Sequence, residues 1–379
     1  MKPAVFVLAG LFLAGAAAPA HAQFGGALGK LKKGADKAAD AKQKLDDYNV
    51  TPKEERQLGE QVSLSLRNRF GVYQDQKVTK YVTLVGTLLA KASSKPDLDW
   101  QFIVLDTDGV NAYAAPGGIV HITRGLLGLM KNEAELAGVL GHEVTHVTEQ
   151  HTVNAIKNEK KVSLVGDAAG TGGGLREQFI ARMSAAAFNK VFAGEFSQKD
   201  ESEADRVGVK LANGLGYAPS GLADVLKKID ARNNGREQRN GMFASHPATN
   251  DRIAANQKLI ASEKLSGKAT VEARYKSNIT FDAKPVTEVS EDVEGASGLA
   301  AGGKKKDDDK KDEPKKKGLG LSAITGGKQQ ASTQQVSSAG ARGVGGAPDR
   351  DAKGGPNKSV LTVKVTAAEL EAFKKGITG

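Results

Sequence analysis

Two histidines and a glutamate stand together in Gly141-His142-Glu143-Val144-Thr145-His146. On an α-helix, residues four apart share a face, so His142 and His146 can point at one ion. Glu143, beside them, can reach a water bound to that ion. Zinc lowers the pKa of such a water, and a carboxylate can take its proton as it attacks a peptide carbonyl. The H-E-x-x-H spacing therefore has a mechanism. The competing reading is two ordinary histidines and a surface glutamate. An apolar surrounding helix with a clear start, and only 6 histidines in the whole chain, favour one zinc ion per chain.

A catalytic zinc takes three protein ligands and keeps one position open. Cysteine is absent, so the third ligand is His, Asp or Glu. The H-E-x-x-H-x-x-G-x-x-H pattern is excluded, because Glu149 and Thr152 stand where Gly and His would be. His151, five residues from His146, lies about 140° off its helical face and is a poor ligand. It is expected to be a solvated helix-end cation. Asp200-Glu201-Ser202-Glu203-Ala204-Asp205 offers a better candidate. Glu201 and Asp205 share a helical face, with Glu203 about 200° around from Glu201. Glu201 could bind the metal while Asp205 hydrogen-bonds a histidine ligand. Equally, the cluster could be an acidic, solvent-facing helix start.

The elements that would carry these residues are legible. Thr51, Pro52 and Glu54 form a helix start of capping-box type, followed by Leu58, Val62, Leu66 and Phe70 at four-residue spacing. A second helix is expected over Gln76 to Ala92. Asp99 to Asp106 reads as a strand, and Pro116-Gly117-Gly118 as a turn before the β-rich run Ile119 to Thr123. Asn132 with Glu135 starts the helix that carries His142 and His146 to about Gln150. Further helices are expected over Ser197 to Asn213, closed by Gly214, over Pro219 to Arg232, and from the Ser245-His246-Pro247 stretch to about Leu265.

The flanks have a different texture. Residues 1–22 read as a secretory signal peptide, with Lys2, an apolar run and Ala20-His21-Ala22 as cleavage site. Residues 23–50 are a charged helical spacer, and 51–283 the main domain. Residues 284–356 are a low-complexity linker expected to be disordered. Residues 357–379 hold one alternating strand and one short helix, expected to dock back or onto a partner. Asp167 to Gly174 reads as a flexible loop. The net charge is +10, in mixed runs such as KKKDDDKKDEPKKK. No nucleic-acid motif accompanies it. After signal removal no stretch suits a transmembrane helix, so an exported, non-integral protein that meets anionic envelope surfaces is expected.

Four motifs in order resemble the zinc metallopeptidases of metallopeptidase family 48, which include CAAX prenyl, HtpX-like, Oma-type and soluble periplasmic BepA-type proteases. They are His142-Glu143-Val144-Thr145-His146, Glu201-Ser202-Glu203-Ala204-Asp205, the stretch NAYAAPGGIVHITRGLL from Asn111, and SHPATNDRI from Ser245. The TPKEERQLGE start resembles the soluble exported members, and the likeness covers about residues 51–282. The resemblance implies an α-rich α+β fold, a zincin-like (gluzincin) domain with a small sheet and the H-E-x-x-H helix at its centre. It implies zinc on His142, His146 and Glu201, with Glu143 as general base and Asp205 orienting the ligands. It also implies an edge strand that takes an extended peptide, drawn from Asn111, Ala112, Tyr113, Ala114, Gly117, Gly118, Ile119 and Val120. His246 could stabilise an oxyanion, fill the fourth zinc position in a latent enzyme, or be an ordinary turn histidine. Arg252 pairs with a carboxylate near the site or lies on the surface.

The expected function is a periplasmic zinc endopeptidase of unfolded or misassembled envelope proteins. One alternative is a repressed protease acting as a chaperone-like assembly factor, with the C-terminal tail binding the partner. A weaker one is a zinc hydrolase of cell-wall peptides.

Overall fold

A computed structural model of the chain describes residues 50–159, 175–193, 196–233, 249–289 and 356–378. The expected signal peptide, nearly all of the spacer, the 167–174 loop, His246 and linker residues 290–355 lie outside the described residues.

Helix α1 (Pro52–Phe70) begins as its sequence dictates. Thr51 accepts from the Glu54 N–H, and the Glu54 carboxylate accepts from the Thr51 N–H. Its buried stripe, Leu58, Val62, Leu66 and Phe70, lines the core. Helix α2 (Gln76–Ala92) is capped by Asp75, and Tyr81, Val82, Val85 and Leu89 face inward.

Strands β1 (Gln101–Leu105), β2 (Ala112–Ala115) and β3 (Ile119–Thr123) form one sheet in the order β1-β3-β2. β1 runs parallel to β3, and β2 antiparallel to it. The β2–β3 turn uses Gly117 at φ 72° and Gly118 at φ 98°, left-handed angles that favour glycine. The start of α1 holds this turn. Glu55 accepts from the Gly117 N–H at 3.4 Å, and Arg56 donates to the Gly117 carbonyl at 3.1 Å.

The short helix α3 (Arg124–Leu129) leads into α4 (Glu133–Thr148), which bears His142 and His146. Asn132 caps α4 by accepting from the Glu135 N–H at 3.0 Å. Every residue of α4 is buried, not one face alone. Its polar residues therefore need internal partners. Glu133 takes Tyr81 Oη at 2.8 Å, Tyr217 Oη at 2.6 Å and Arg274 Nε at 2.7 Å.

Past Thr148 the chain breaks at Gln150, whose φ is 55°, and restarts as α5 (His151–Glu159). Helix α6 (Leu175–Ala193) lies against α1 and β2, where Phe192 stacks on Tyr113 at 6.3 Å. Helix α7 (Gln198–Gly214), capped by Ser197, lies along α4. Gly214 is its last residue, and the left-handed glycine is Gly216, two positions later. Helices α8 (Gly221–Asn233), α9 (Thr249–Ser262) and α10 (Glu272–Asn278) complete the shell around α4 and α7.

Residues 284–289, expected to open the linker, still belong to the fold. Lys284 pairs with Asp108 at 3.0 Å, and a 3-10 turn covers Val286–Glu288. The C-terminal segment docks on its own chain. Helix α11 (Ala367–Thr378) buries Leu370 and Ile377 in the core and sets Phe373 under Arg274. The expected strand before it does not form. The carbonyls of Asn357, Lys358 and Ser359 accept instead from the Val72 N–H and the Arg67 and Gln74 side chains. Those donors come from scattered positions, so no ladder develops. No helix among the described residues is long and apolar enough to cross a membrane.

Candidate metal centre

The face α7 turns to α4 consists of Glu201, Ala204, Asp205, Gly208 and Ala212, all buried. This is the three-and-four spacing of a helix stripe. The two helices touch where Gly208 meets Gly141 and His142. A Cβ on Gly141 would come within 2.7 Å of the Gly208 carbonyl oxygen. Backbone-to-backbone contact sets Glu201 and Asp205 opposite the two histidines.

Three side chains converge there. His142 Nε2 lies 3.0 Å from His146 Nε2. Glu201 Oε1 is 3.3 Å from His146 Nε2, and Oε2 is 3.6 Å from His142 Nε2. A tetrahedral ion held at about 2.0–2.1 Å keeps its ligands about 3.3 Å apart, so this triangle has the size such an ion needs. Two imidazoles and a carboxylate are also the donor types a divalent ion such as zinc takes. Among the described residues, these three are the His, Cys, Asp or Glu side chains grouped closely enough to hold a metal. Glu143 follows His142 on the same helix and is 0% exposed.

A carboxylate–arginine frame stands behind the triangle. Asp205 Oδ1 lies 2.8 Å from His142 Nδ1. A carboxylate only accepts, so His142 carries its proton on Nδ1 and turns the Nε2 lone pair toward the other donors. Arg252, 3% exposed, donates to Asp205 Oδ1 at 2.6 Å and Oδ2 at 2.9 Å, and its Nη1 is 2.8 Å from Glu201 Oε2. Burial would push the Asp205 carboxyl up, but Arg252 and His142 outweigh it and hold it at about 2. Of the two positions open to Arg252 in the sequence, the structure takes the one beside the carboxylates.

His151 is where sequence reasoning failed. It is 4% exposed, not solvated, and its ring lies 4.8 Å from that of His146. The sequence reading ends the helix at about Gln150 but takes the direction of His151 from an ideal helix; Thr148-Glu149-Gln150 contains neither glycine nor proline to show the left-handed turn and immediate restart that carry His151 inward. Phe196 was also missed; its ring covers His146 at 4.4 Å.

The expected peptide-binding residues divide. β2, with Ala112, Tyr113 and Ala114, is an edge strand, and Asn111 closes its hairpin by accepting the Thr123 N–H. Ile119 and Val120 are not on an edge. They belong to central β3, paired with Gln101 and Phe102 on one side and Ala115 and Ala114 on the other. Alternation across the turn puts one strand of a hairpin inside whenever a third strand pairs with it. Gly117 and Gly118 form the turn itself.

Comparison with known proteins agrees with this geometry. The family model of peptidase family M48 matches residues 76–260. The beta-barrel assembly-enhancing protease of Escherichia coli (strain K12) is 27% identical over 209 residues, 53% of this chain and 42% of that protein. The mitochondrial metalloendopeptidase OMA1 of Schizosaccharomyces pombe (strain 972 / ATCC 24843) is 29% identical over 175 residues, 46% of this chain and 51% of its own. The metalloprotease YcaL of Escherichia coli (strain K12) is 31% identical over 158 residues, 42% of this chain and 61% of its own. The chain thus spans about two fifths of the assembly-enhancing protease and about three fifths of YcaL. Histidines, carboxylates and matched residues coincide on α4 and α7, and residues 76–260, just under half of the chain, match peptidase family M48.

Proposed function

We propose that the chain is an exported zinc metalloendopeptidase that hydrolyses peptide bonds of unfolded or misassembled envelope proteins. The observation that carries this reading is the convergence of His142, His146 and Glu201, within 4.8 Å of one another, beside a buried Glu143. His142, His146 and Glu201 would hold the ion. When bound, zinc acidifies a water and polarises the carbonyl to be cut. Asp205 keeps the His142 proton on Nδ1, and Arg252 keeps Asp205 ionised. Glu143 takes a proton from the attacking water and returns one to the departing amine nitrogen.

An extended chain would add to the edge strand β2 along Asn111 to Ala114 once the fold opens around these buried residues, bonding through its backbone. Backbone pairing imposes little sequence preference, which suits unfolded substrates. The printed names of the relatives, a beta-barrel assembly-enhancing protease among them, favour an envelope role. Export rests on the expected signal peptide, with periplasmic release after its cleavage. Residues 356–378 engage the chain's own body, so an assembly partner reached through the tail would meet the stretch between 290 and 355. Digestion of an unfolded protein by the full chain, beside Glu143→Gln with equal zinc content, tests the reading. Cleavage by the first alone supports it; cleavage by both refutes the role of Glu143.

One observation favours a latent form of the same enzyme. His142, Glu143, His146 and Glu201 are each at most 1% exposed, and Phe196 covers His146. No polypeptide reaches atoms so enclosed without an opening of the fold. His246 and the 167–174 loop, the other candidates for repression, lie outside the described residues. If the zinc-loaded chain is inert and Phe196→Ala cleaves, the latent form is the resting one.

A further inference from the structure

We propose that His151 is a positioning residue for the metal centre, whose Nδ1 accepts the Nδ1–H of His146 and so turns the His146 Nε2 lone pair onto the site. This rests on the reading of His146 as a ligand.

The two Nδ1 atoms are 2.9 Å apart, so one proton lies between them. Which ring owns it is decided on the far side of His151. There Nε2 faces Glu203 Oε2 at 3.6 Å and Asp200 Oδ1 at 4.0 Å. Two carboxylates favour a proton on that nitrogen. With a single proton on His151, that proton sits on Nε2 and Nδ1 is left as the acceptor. His146 must then donate from Nδ1 and keep Nε2 bare. The opposite assignment would put a lone pair before two carboxylates. It would also put a proton on His146 Nε2, where it would point at His142 Nε2, 3.0 Å away, and close the donor triangle.

The backbone is arranged for this contact. On an unbroken helix His151 would face about 140° from His146. Gln150, at φ 55°, breaks the helix and swings α5 so that the two rings meet edge to face at 4.8 Å. A glutamine keeps that angle only when its surroundings hold it, and its side-chain amide donates to Glu55 on α1. His142 and His146 are thus oriented from opposite sides, the first by Asp205 and the second by His151 backed by Asp200 and Glu203. Glu203, the acidic residue that faces away from Glu201, finds its role here.

Zinc affinity, read by competition with a chromophoric chelator, tests this on the full chain. His151→Leu should bind zinc about 10–100-fold more weakly, the usual effect of losing a ligand's outer partner. His151→Asn puts an amide oxygen near the place of Nδ1 and should recover most of that loss. The Asp200→Asn, Glu203→Gln double variant changes half-exposed positions and should weaken binding even if His151→Leu fails to fold. His146→Ala is the control. If it loses zinc while His151→Leu and the double variant bind as the parent does, the inference is overturned and the ligand reading stands. If His146→Ala retains full affinity, the ligand reading itself fails. An Asn variant as weak as the Leu variant means that His151 acts only by filling space, which also overturns the inference.

Discussion

A Cβ on Gly208 would lie 2.5 Å from the backbone nitrogen of His142. The atom it would meet is backbone and cannot swing aside, so Gly208→Ala must separate α4 from α7. Overfilling of this kind destabilises by about 1–3 kcal/mol. The separation also opens the distance between Glu201 and the histidines. Gly208→Ala is expected to lower both the unfolding midpoint and zinc affinity, whereas Gly214→Ala, where a Cβ meets nothing within 4 Å, should change neither. Equal zinc titrations for the two variants would refute the account of how the site is held.

Asp205→Ala removes the acceptor that orients His142 and leaves Arg252, 3% exposed, with one carboxylate partner fewer. Zinc affinity should fall about 10–100-fold. Stability should fall by about 3–5 kcal/mol, as when one member of a buried ion pair is deleted. Urea unfolding and chelator competition read the two effects separately.

His121 predicts a pH dependence. Burial first, and the nearby Arg67 charge second, push its pKa from 6.5 down to about 3, although a hydrogen bond at Tyr113 acts the other way. Its Nε2 meets Ser63 Oγ at 2.9 Å. Between those two values the unfolded chain binds the extra proton, so stability is complete above pH 6.5 and declines as the pH falls toward 3. The slope from this group approaches about 1.4 kcal/mol per pH unit. His121→Phe should flatten the acid limb of the stability curve; an unchanged limb would show that other groups set it.

The C-terminal helix should support the peptidase fold. Arg274 bonds Glu133, the first residue of α4, and also donates to the Phe373 carbonyl at 3.0 Å. A chain ended at residue 355 loses Leu370 and Ile377 from the core, and each such side chain contributes about 1.5–3 kcal/mol when fully buried. Its urea midpoint should be clearly lower than that of the full chain. Arg274→Leu should destabilise too, since Glu133, 0% exposed, then keeps only the Tyr81 and Tyr217 hydroxyls among its described partners. Identical midpoints for the shortened and full chains would contradict the contact.

What the sequence revealed was local. The capping box at Thr51, the Asn132–Glu135 start and the stripes of α1 and α2 are short-range patterns, and each element begins where its pattern does. Spacing alone also put Glu201 and Asp205 on one face. The features that escaped depend on contacts between distant residues. The restart of the helix directly after Gln150 is held by Glu55, the burial of Glu133 needs Tyr81, Tyr217 and Arg274, and the failure of a strand at 357–366 follows from donors on and just after α1. The central place of β3 likewise depends on β1, which pairs beside it from earlier in the chain.

The enclosure of His142, Glu143 and His146 has a kinetic meaning. On the proposed reading a substrate meets them only in those molecules that have opened, and its apparent dissociation constant is the intrinsic one divided by the open fraction. One open molecule in about a hundred would make binding about a hundredfold weaker than the site's intrinsic strength. Under the proposed function, brief encounters would then pass without harm, and cleavage would fall on chains that stay unfolded long enough to be present when an opening occurs. Dwell time, more than sequence, would mark a protein for destruction.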